Sequence, residues 1–521
     1  MTENSKVTKA AGIVGSATLL SRVMGYIRDM ALAWFFGAGM ASDAFFVAFR
    51  IPNLLRRLFA EGSLSVAFIP VFTDYLEKEG KEEAMRFAGS ALKCLSVILA
   101  AVALAGVLLA PFIARAFAPG FMEDPEKLRL TTLLTRVMFP YILFIGLVAL
   151  CMGILNVMGH FAAPALAPVL LNLSMIGAVF LISPGLEEPA MGLAIGVLIG
   201  GALQLALQAP FVIRKGVRLG RRIPLRHPGL KKVGVLMLPT ILGSAAYQVN
   251  ILAGTLLSSL LPEGSVSYLY YADRLTQFPL GIFAIALATA VLPSLSRQVS
   301  AGDMEAAGQT FSHAMRFVWF ITLPAMFGMM ALREPIVALL FKRGAFDARA
   351  VESTAHALLF YSAGLWAFSG VRIVVSAFYA LKDTRTPVKM AVISIAANII
   401  LGAALMGPMG HGGLALATSL SSMLNLILLT RALRAKFDFF DRIFFTVSSL
   451  KILVSSLVMG GAVFAMSRFV LTPGQDDFSR LLTGILICVA AGSALYALLA
   501  FALKSREMKT ILQMAGKDSE K

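Results

Sequence analysis

FGAGMASDAFFVAFRIPNLLRRLFAEGSLSVAFIPVF, residues 36–72, decides the class of fold. Its apolar residues run long enough to cross a bilayer, since a membrane helix needs about 20. Yet Asp43, Arg50, Arg56, Arg57 and Glu61 stand within it. A charge at bilayer depth costs about 2.5–3.5 kcal/mol on insertion scales unless it meets a partner or a cavity. Asp43, Arg50 and Arg57 are seven residues apart and share one face of a continuous helix, while Arg56 points elsewhere. Pro52 and Gly62 let that helix bend or break.

The rest of the chain agrees with a membrane setting. Its 521 residues are 58% hydrophobic and 14% charged, with a mean hydropathy of +0.80. A soluble chain carries roughly a quarter charged residues. Apolar runs of about 20 residues recur, rather than the alternating ten-residue segments of a barrel, so the chain reads as an all-α polytopic membrane protein. The net charge of +17 sits in short clusters between apolar runs, which is the pattern of topology and not of nucleic-acid binding. Cys94, Cys151 and Cys488 are scattered through apolar segments and form neither a disulfide framework nor a metal-spacing motif. Arg22 and Arg28 interrupt the first apolar stretch and no clear cleavage site follows, so that stretch is retained as the first helix and not read as a signal peptide.

The hydropathy pattern predicts fourteen membrane helices, at 10–36, 42–73, 84–114, 128–156, 161–183, 190–212, 233–261, 266–296, 305–331, 350–380, 387–407, 412–431, 446–469 and 480–503. With the N-terminus inside, inside segments hold 25 Lys and Arg and outside segments hold 7, so both termini are expected in the cytoplasm. The segment 333–349 reads as an interfacial amphipathic helix, with an outside gate as the sharper alternative.

An internal duplication organises these spans. GLAIGVLIGGALQLAL (192–207) aligns without gaps on GLALATSLSSMLNLIL (413–428), with six of sixteen positions identical and Gln204 on Asn425. Pro70 with Pro293, and Pro164 with Pro387, repeat nearly the same offset. The expected domains are an N-lobe of six helices (1–212), a basic cytoplasmic linker (213–232), a C-lobe of six helices (233–434) and an appended helix pair with its tail (435–521), the lobes facing a central cavity.

Charges within spans gather on the first two helices of each half: Arg22, Arg28 and Asp29 on the first, the set at 43–61 on the second, Asp273 and Arg274 on the eighth. Arg372 lies on the tenth. The bland reading makes them internal ion pairs or snorkelling anchors. The sharper reading notes that cations outnumber nearby acids and that a guanidinium offers phosphate two parallel hydrogen bonds, so the cavity suits an anion. No nucleophile–base motif, metal cluster or phosphate loop appears, which points to a transporter and not an enzyme.

At these residues the chain resembles the MurJ (MviN) family of lipid II flippases, within the multidrug/oligosaccharidyl-lipid/polysaccharide exporter superfamily. The carrying motifs are SRVMGYIRD (21–29), the 36–72 block, APGF (118–121), FPYILFIGL (139–147), YYADRLTQFPLGIFAIALATAVLPSLS (270–296), FYALKDTRTPVK (378–389) and GHGGLALA (410–417). The resemblance spans essentially the whole chain. It implies two lobes, a groove for the polyprenyl tail formed by the last two helices, and a cationic cavity for the pyrophosphate–sugar headgroup. It implies that Arg22, Arg28, Arg56 and Arg274 bind substrate, and that Asp29, Asp43, Glu61 and Asp273 serve as charge partners or in gating. Arg50, Arg57 and Arg372 keep the structural reading.

The implied activity is translocation of lipid II from the inner to the outer leaflet of the cytoplasmic membrane by alternating access. An exporter of another polyprenyl-linked glycan, or a drug or cation antiporter of the superfamily, is the alternative. A scaffold for cell-wall enzymes is the reading without transport. Lipid II, membrane lipids and proteins of cell-wall synthesis are the expected partners, and nucleic acid is not. No cofactor is expected, and the membrane potential is the expected energy source. Sodium held by acidic residues on helices 7 and 11 is the relatives' option, but 233–261 offers only Gln248 and Asn250, and 390–407 only Asn398. The five histidines form no sequence cluster, which argues against a proton relay.

Overall fold

The structure is a computed structural model, and it describes residues 3–57, 64–218, 223–434, 436, 447–471, 477–509 and 513. Among these the secondary structure is helical throughout, without strands. The chain divides into two compact units, Met1–Ser267 with Arg343–Phe346, and Tyr268–Lys342 with Asp347–Lys521.

The first unit contains α1 (Glu3–Phe36), α2 (Met40–Arg56), α3 (Leu64–Lys78), α4 (Lys81–Phe117), α5 (Pro125–Met138), α6 (Tyr141–Val157), α7 (Ala162–Leu181), α8 (Ala190–Arg214) and α9 (Pro228–Ser259). Phe68 and Phe72 of α3, Phe87 and Leu92 of α4, Leu150 and Ile154 of α6, and Val212 and Val233 form its main core. Val233 lies on α9, which the sequence reading assigns to the second lobe; by packing it goes with α3 and α4. The outer side of α4 shows why water is the wrong solvent. Leu108 is 67% exposed and Phe112 65%, with Val97, Ile98, Leu104 and Leu109 exposed beside them. An apolar face of that extent needs lipid against it.

The second unit contains most of α10 (Ser265–Pro279), then α11 (Ile285–Ser300), α12 (Met304–Ala331), α13 (Arg333–Phe341), α14 (Ala348–Ala363), α15 (Leu365–Ala380), α16 (Arg385–Arg434), α17 (Val447–Val470) and α18 (Phe478–Ala502). Phe311, Met315 and Trp319 of α12 pack with Phe378 of α15 and Leu426 of α16. The last two helices join this core through Met459, Val463, Cys488 and Tyr496, and the Tyr496 hydroxyl donates to the Phe320 carbonyl at 2.9 Å.

Nine helical spans among the described residues are long and apolar enough to cross a membrane, and ten if the bent pair α14–α15 counts as one. The expected spans are interrupted where the backbone chemistry requires it. The second expected helix divides into α2 and α3, and Glu61 lies outside the described residues. The fourth is broken at Phe139–Pro140, since proline has no N–H to continue the ladder. The eighth carries one π turn, Leu280–Ala284, directly after Pro279, and the tenth bends by 41° at Gly364.

The eleventh and twelfth expected helices appear as one 50-residue element with a non-helical point at Gly410, φ +55°. A Cβ added at Gly413 would lie 2.2 Å from the carbonyl oxygen of Leu405. Residues eight apart in a straight helix stand about 12 Å apart, so the chain reverses there. Only glycine takes that backbone angle without strain, and this is the break the sequence reading places between 407 and 412.

Candidate functional site

The site residues fall into one paired group on α1, a second around the start of α2, and a third on α10. On α1, Arg28 and Asp29 are 8% and 0% exposed. The Arg28 Nη2 and Nε donate to Asp29 Oδ1 at 2.6 and 3.0 Å, and Nη1 donates to Asn172 Oδ1 of α7 at 3.1 Å. Asn172 in turn donates from Nδ2 to the Ser21 carbonyl at 3.1 Å. One amide therefore holds both the guanidinium and the helix that carries it. Such charge-assisted bonds are about twice as strong as neutral ones, and they fix the plane in which Arg28 can meet an oxyanion. Asn172 carries no sequence signal of its own; it is one polar residue in an apolar helix. Arg22, on the same helix, is exposed.

The group around α2 is built on Asp43, 1% exposed. Its Oδ2 accepts from Lys127 Nζ of α5 at 2.8 Å and from the Gly264 amide at 2.8 Å. Its Oδ1 accepts from the Ser267 amide at 2.9 Å and the Ser267 hydroxyl at 2.6 Å. Four donors thus saturate one buried carboxylate, which also meets the positive N-terminal end of α10. Gly264 has φ +88°, the conformation that lets its N–H turn towards Asp43. The exchange is reciprocal, because Glu263 Oε1 accepts from the Met40 amide at the start of α2 at 2.7 Å. Lys127, 5% exposed, also lies 4.3 Å from the centroid of the Phe121 ring.

Asp43, expected as a charge partner or gating residue, has a lysine and a helix terminus for partners. Lys127 reads in sequence as an ordinary loop cation after MEDPE, and nothing local couples it to a residue 84 positions earlier. Further along α2, Arg50 donates to the Thr255 hydroxyl of α9 at 2.7 Å, a tie between helices of one unit. Arg56 is half-buried and donates from Nε to Asn53 Oδ1 at 2.9 Å, one turn back. Arg57 is half-buried, and its Nε has no hydrogen-bond partner among the described residues.

On α10, Asp273 is exposed and accepts from Gln277 Nε2 at 2.6 Å, and Arg274 beside it is half-buried. Arg372 of α15 is exposed. Only one of the proposed substrate arginines is therefore fully enclosed by protein. Of the histidines, the structure brings His356 and His411 together, with ring centroids 5.6 Å apart near the Gly410 reversal. His411 Nε2 lies 2.9 Å from the Ser353 carbonyl.

Outside the spans, Asp383 caps the start of α16. Its carboxylate accepts from the Arg385 and Thr386 amides at 3.1 and 3.0 Å, from the Thr386 hydroxyl at 2.7 Å, and from Lys436 Nζ. The Lys436 hydrogen bond, then those of Thr386, hold its carboxyl well below the usual carboxylate range.

The family model described as "Lipid II flippase MurJ" matches residues 32–482. The chain is 39% identical over 470 residues to a "Probable lipid II flippase MurJ" of Vibrio cholerae serotype O1, covering 89% of each. It is 35% identical over 511 residues to the protein of that description from Rhizobium meliloti, covering 97% of this chain and 95% of that one. A solved structure described as "Lipid II flippase MurJ, inward closed conformation" superposes with a TM-score of 0.77 at 28% identity, covering 94% of this chain and 99% of the other. An inward-facing multidrug transporter of the MATE family shares the fold alone, with a TM-score of 0.66 at 16% identity, over 83% of this chain and 99% of that one. With its family model matched from 32 to 482 and near-full-length relatives at these identities, the chain belongs to the MurJ family.

Proposed function

We propose that this chain is a flippase that moves lipid II from the inner to the outer leaflet of the bacterial cytoplasmic membrane by alternating access. The observation that carries the reading is family membership across 32–482, in a chain whose first helix holds an enclosed, pre-oriented arginine. The chain is a multi-pass membrane transporter and not a catalyst of a chemical reaction.

In this reading Arg22, Arg28, Arg56 and Arg274 receive the pyrophosphate and sugar headgroup, while the tail stays in lipid beside α17 and α18. Asp29 and Asn172 hold the Arg28 guanidinium in one plane. Asp43 ties α2 to Lys127 and to the start of α10, and releasing that tie accompanies opening. Asp273 and Glu61 complete the set of charge partners. Two lobes within fourteen helices rock about a fixed cavity, α9 moving with α3 and α4 against which it packs, with both termini in the cytoplasm. The inside-negative potential supplies direction: each charge moved is worth about 2.3 kcal/mol per 100 mV, so about two net charges on a pyrophosphate gain about 4–5 kcal/mol outward. Proteins of cell-wall synthesis are the partners this role implies.

The test is translocation in proteoliposomes loaded with lipid II. Wild-type protein should expose lipid II to an external probe faster when an inside-negative potential is imposed. Protein-independent exposure, or equal rates with Arg28→Ala and Arg274→Ala, would overturn the reading.

A further inference from the structure

Between α3 and the start of α9 lies an open groove of about 660 Å³. None of the charged residues assigned to lipid II lines it. Val71, Val235 and Leu236 line its apolar part, and Lys231, Lys232 and Asp74 its polar part. The two ends follow from the helix. Lys231 and Lys232 fall in the first turn or so of α9, which Pro228 begins, and Leu236 and Leu238 are exposed apolar residues further along the same helix. With a rise of 1.5 Å per residue, Lys231 and Leu236 stand about 7–8 Å apart along the axis, so the groove is cationic at one end and apolar at the other.

The charge at the polar end is cationic in effect. Asp74 is already paired with Lys78 at 3.0 Å. Lys232 Nζ lies over the Tyr75 ring at 5.6 Å, which keeps its ammonium beside the groove. The N-terminal end of α9 adds its own partial positive charge. These features belong together only for a ligand that is anionic at one end and apolar at the other. Topology explains basic residues in 213–232, but it does not explain a groove that continues them into an apolar slot.

We propose that this groove is a binding site for an anionic diacyl phospholipid of the cytoplasmic leaflet, its phosphate between Lys231 and Lys232 and one acyl chain along Val235 and Leu236. The assignment of leaflet rests on the orientation given under Proposed function; the site itself does not depend on lipid II transport. Lipid held there would brace α9 against α3.

Full-length protein taken from vesicles of phosphatidylcholine containing one-fifth phosphatidylglycerol should retain phosphatidylglycerol selectively when its bound lipids are counted by native mass spectrometry. Lys231→Gln with Lys232→Gln should weaken that retention about 30-fold, from two charges worth about 1 kcal/mol each at 1.4 kcal/mol per tenfold. Val235→Trp, which fills the slot and keeps both lysines, should lose the same lipid. Arg214→Gln with Arg218→Gln, removing two cations from the same basic segment, should leave it in place. Retention unchanged by the lysine pair, equal loss from the Arg214 and Arg218 pair, or displacement by millimolar inorganic phosphate would each overturn the site. Retention is read without flipping, so a flippase failure and a groove failure give different results.

Discussion

Asp43→Asn is the most informative single change in the first unit. The carboxylate accepts from four donors, two on each oxygen, and sits against the buried ammonium of Lys127. Asparagine keeps one acceptor oxygen and turns an amide towards two of those donors. It also leaves Lys127 charged in a site that is almost closed to water. Removing one partner of a buried pair costs about 3–5 kcal/mol, because the other charge is left uncompensated. Lys127→Met should cost less: the aspartate keeps its three bonds from Gly264 and Ser267, and the thioether chain fills the volume beside Phe121. The double variant removes both charges and should fall well short of the sum of the singles. A double-mutant cycle on thermal unfolding of purified protein in one detergent measures this. We expect Asp43→Asn to be the more damaging single change and a coupling energy of about 2 kcal/mol, within the range for residues in one buried network. Additive single effects, or Lys127→Met exceeding Asp43→Asn, would refute the account of this cluster.

Arg28→Lys keeps the charge but cannot donate to Asp29 and Asn172 from one plane, so translocation should fall sharply while the protein still inserts; normal flipping would argue against planar recognition of phosphate. Asn172→Ala removes the acceptor for Arg28 and the bond to Ser21, and the flipping rate should fall several-fold, with rescue by Asn172→Gln no more than partial because the longer amide misplaces its oxygen. At the start of α16, the Asp383 carboxyl is held below its usual range, so its contribution is present above that range and is lost only as pH falls through the depressed value. Amide exchange at Arg385 and Thr386 should therefore be equally protected at about pH 7 and about pH 4, the latter being where ordinary carboxylates titrate. Asp383→Asn should expose both amides at either pH.

Much of this architecture is legible in the sequence because a bilayer leaves the backbone few options. Apolar runs declare helices, and the glycine-rich 407–413 stretch declares the reversal that Gly410 makes. Arg28 and Asp29 announce themselves by cost, as adjacent charges in an apolar helix. What the sequence does not declare is pairing at a distance. Lys127 looks like a solvated loop residue until α5 brings it to Asp43, and Asn172 is silent until α7 sets it beside Arg28. The same limit applies to α9, whose hydropathy marks a span but not that Val233 joins the core that holds Phe72 and Phe87. The π turn after Pro279 is also invisible locally, because proline predicts a disturbance without its form.

Outward carriage of lipid II by this chain is read most directly from the distribution of lipid II between leaflets in cells depleted of the protein. Depletion should leave lipid II in the inner leaflet and lower its outer-leaflet level, with recovery on expression of wild-type protein and none on expression of Arg28→Ala. Outer-leaflet lipid II unchanged by depletion would contradict the account.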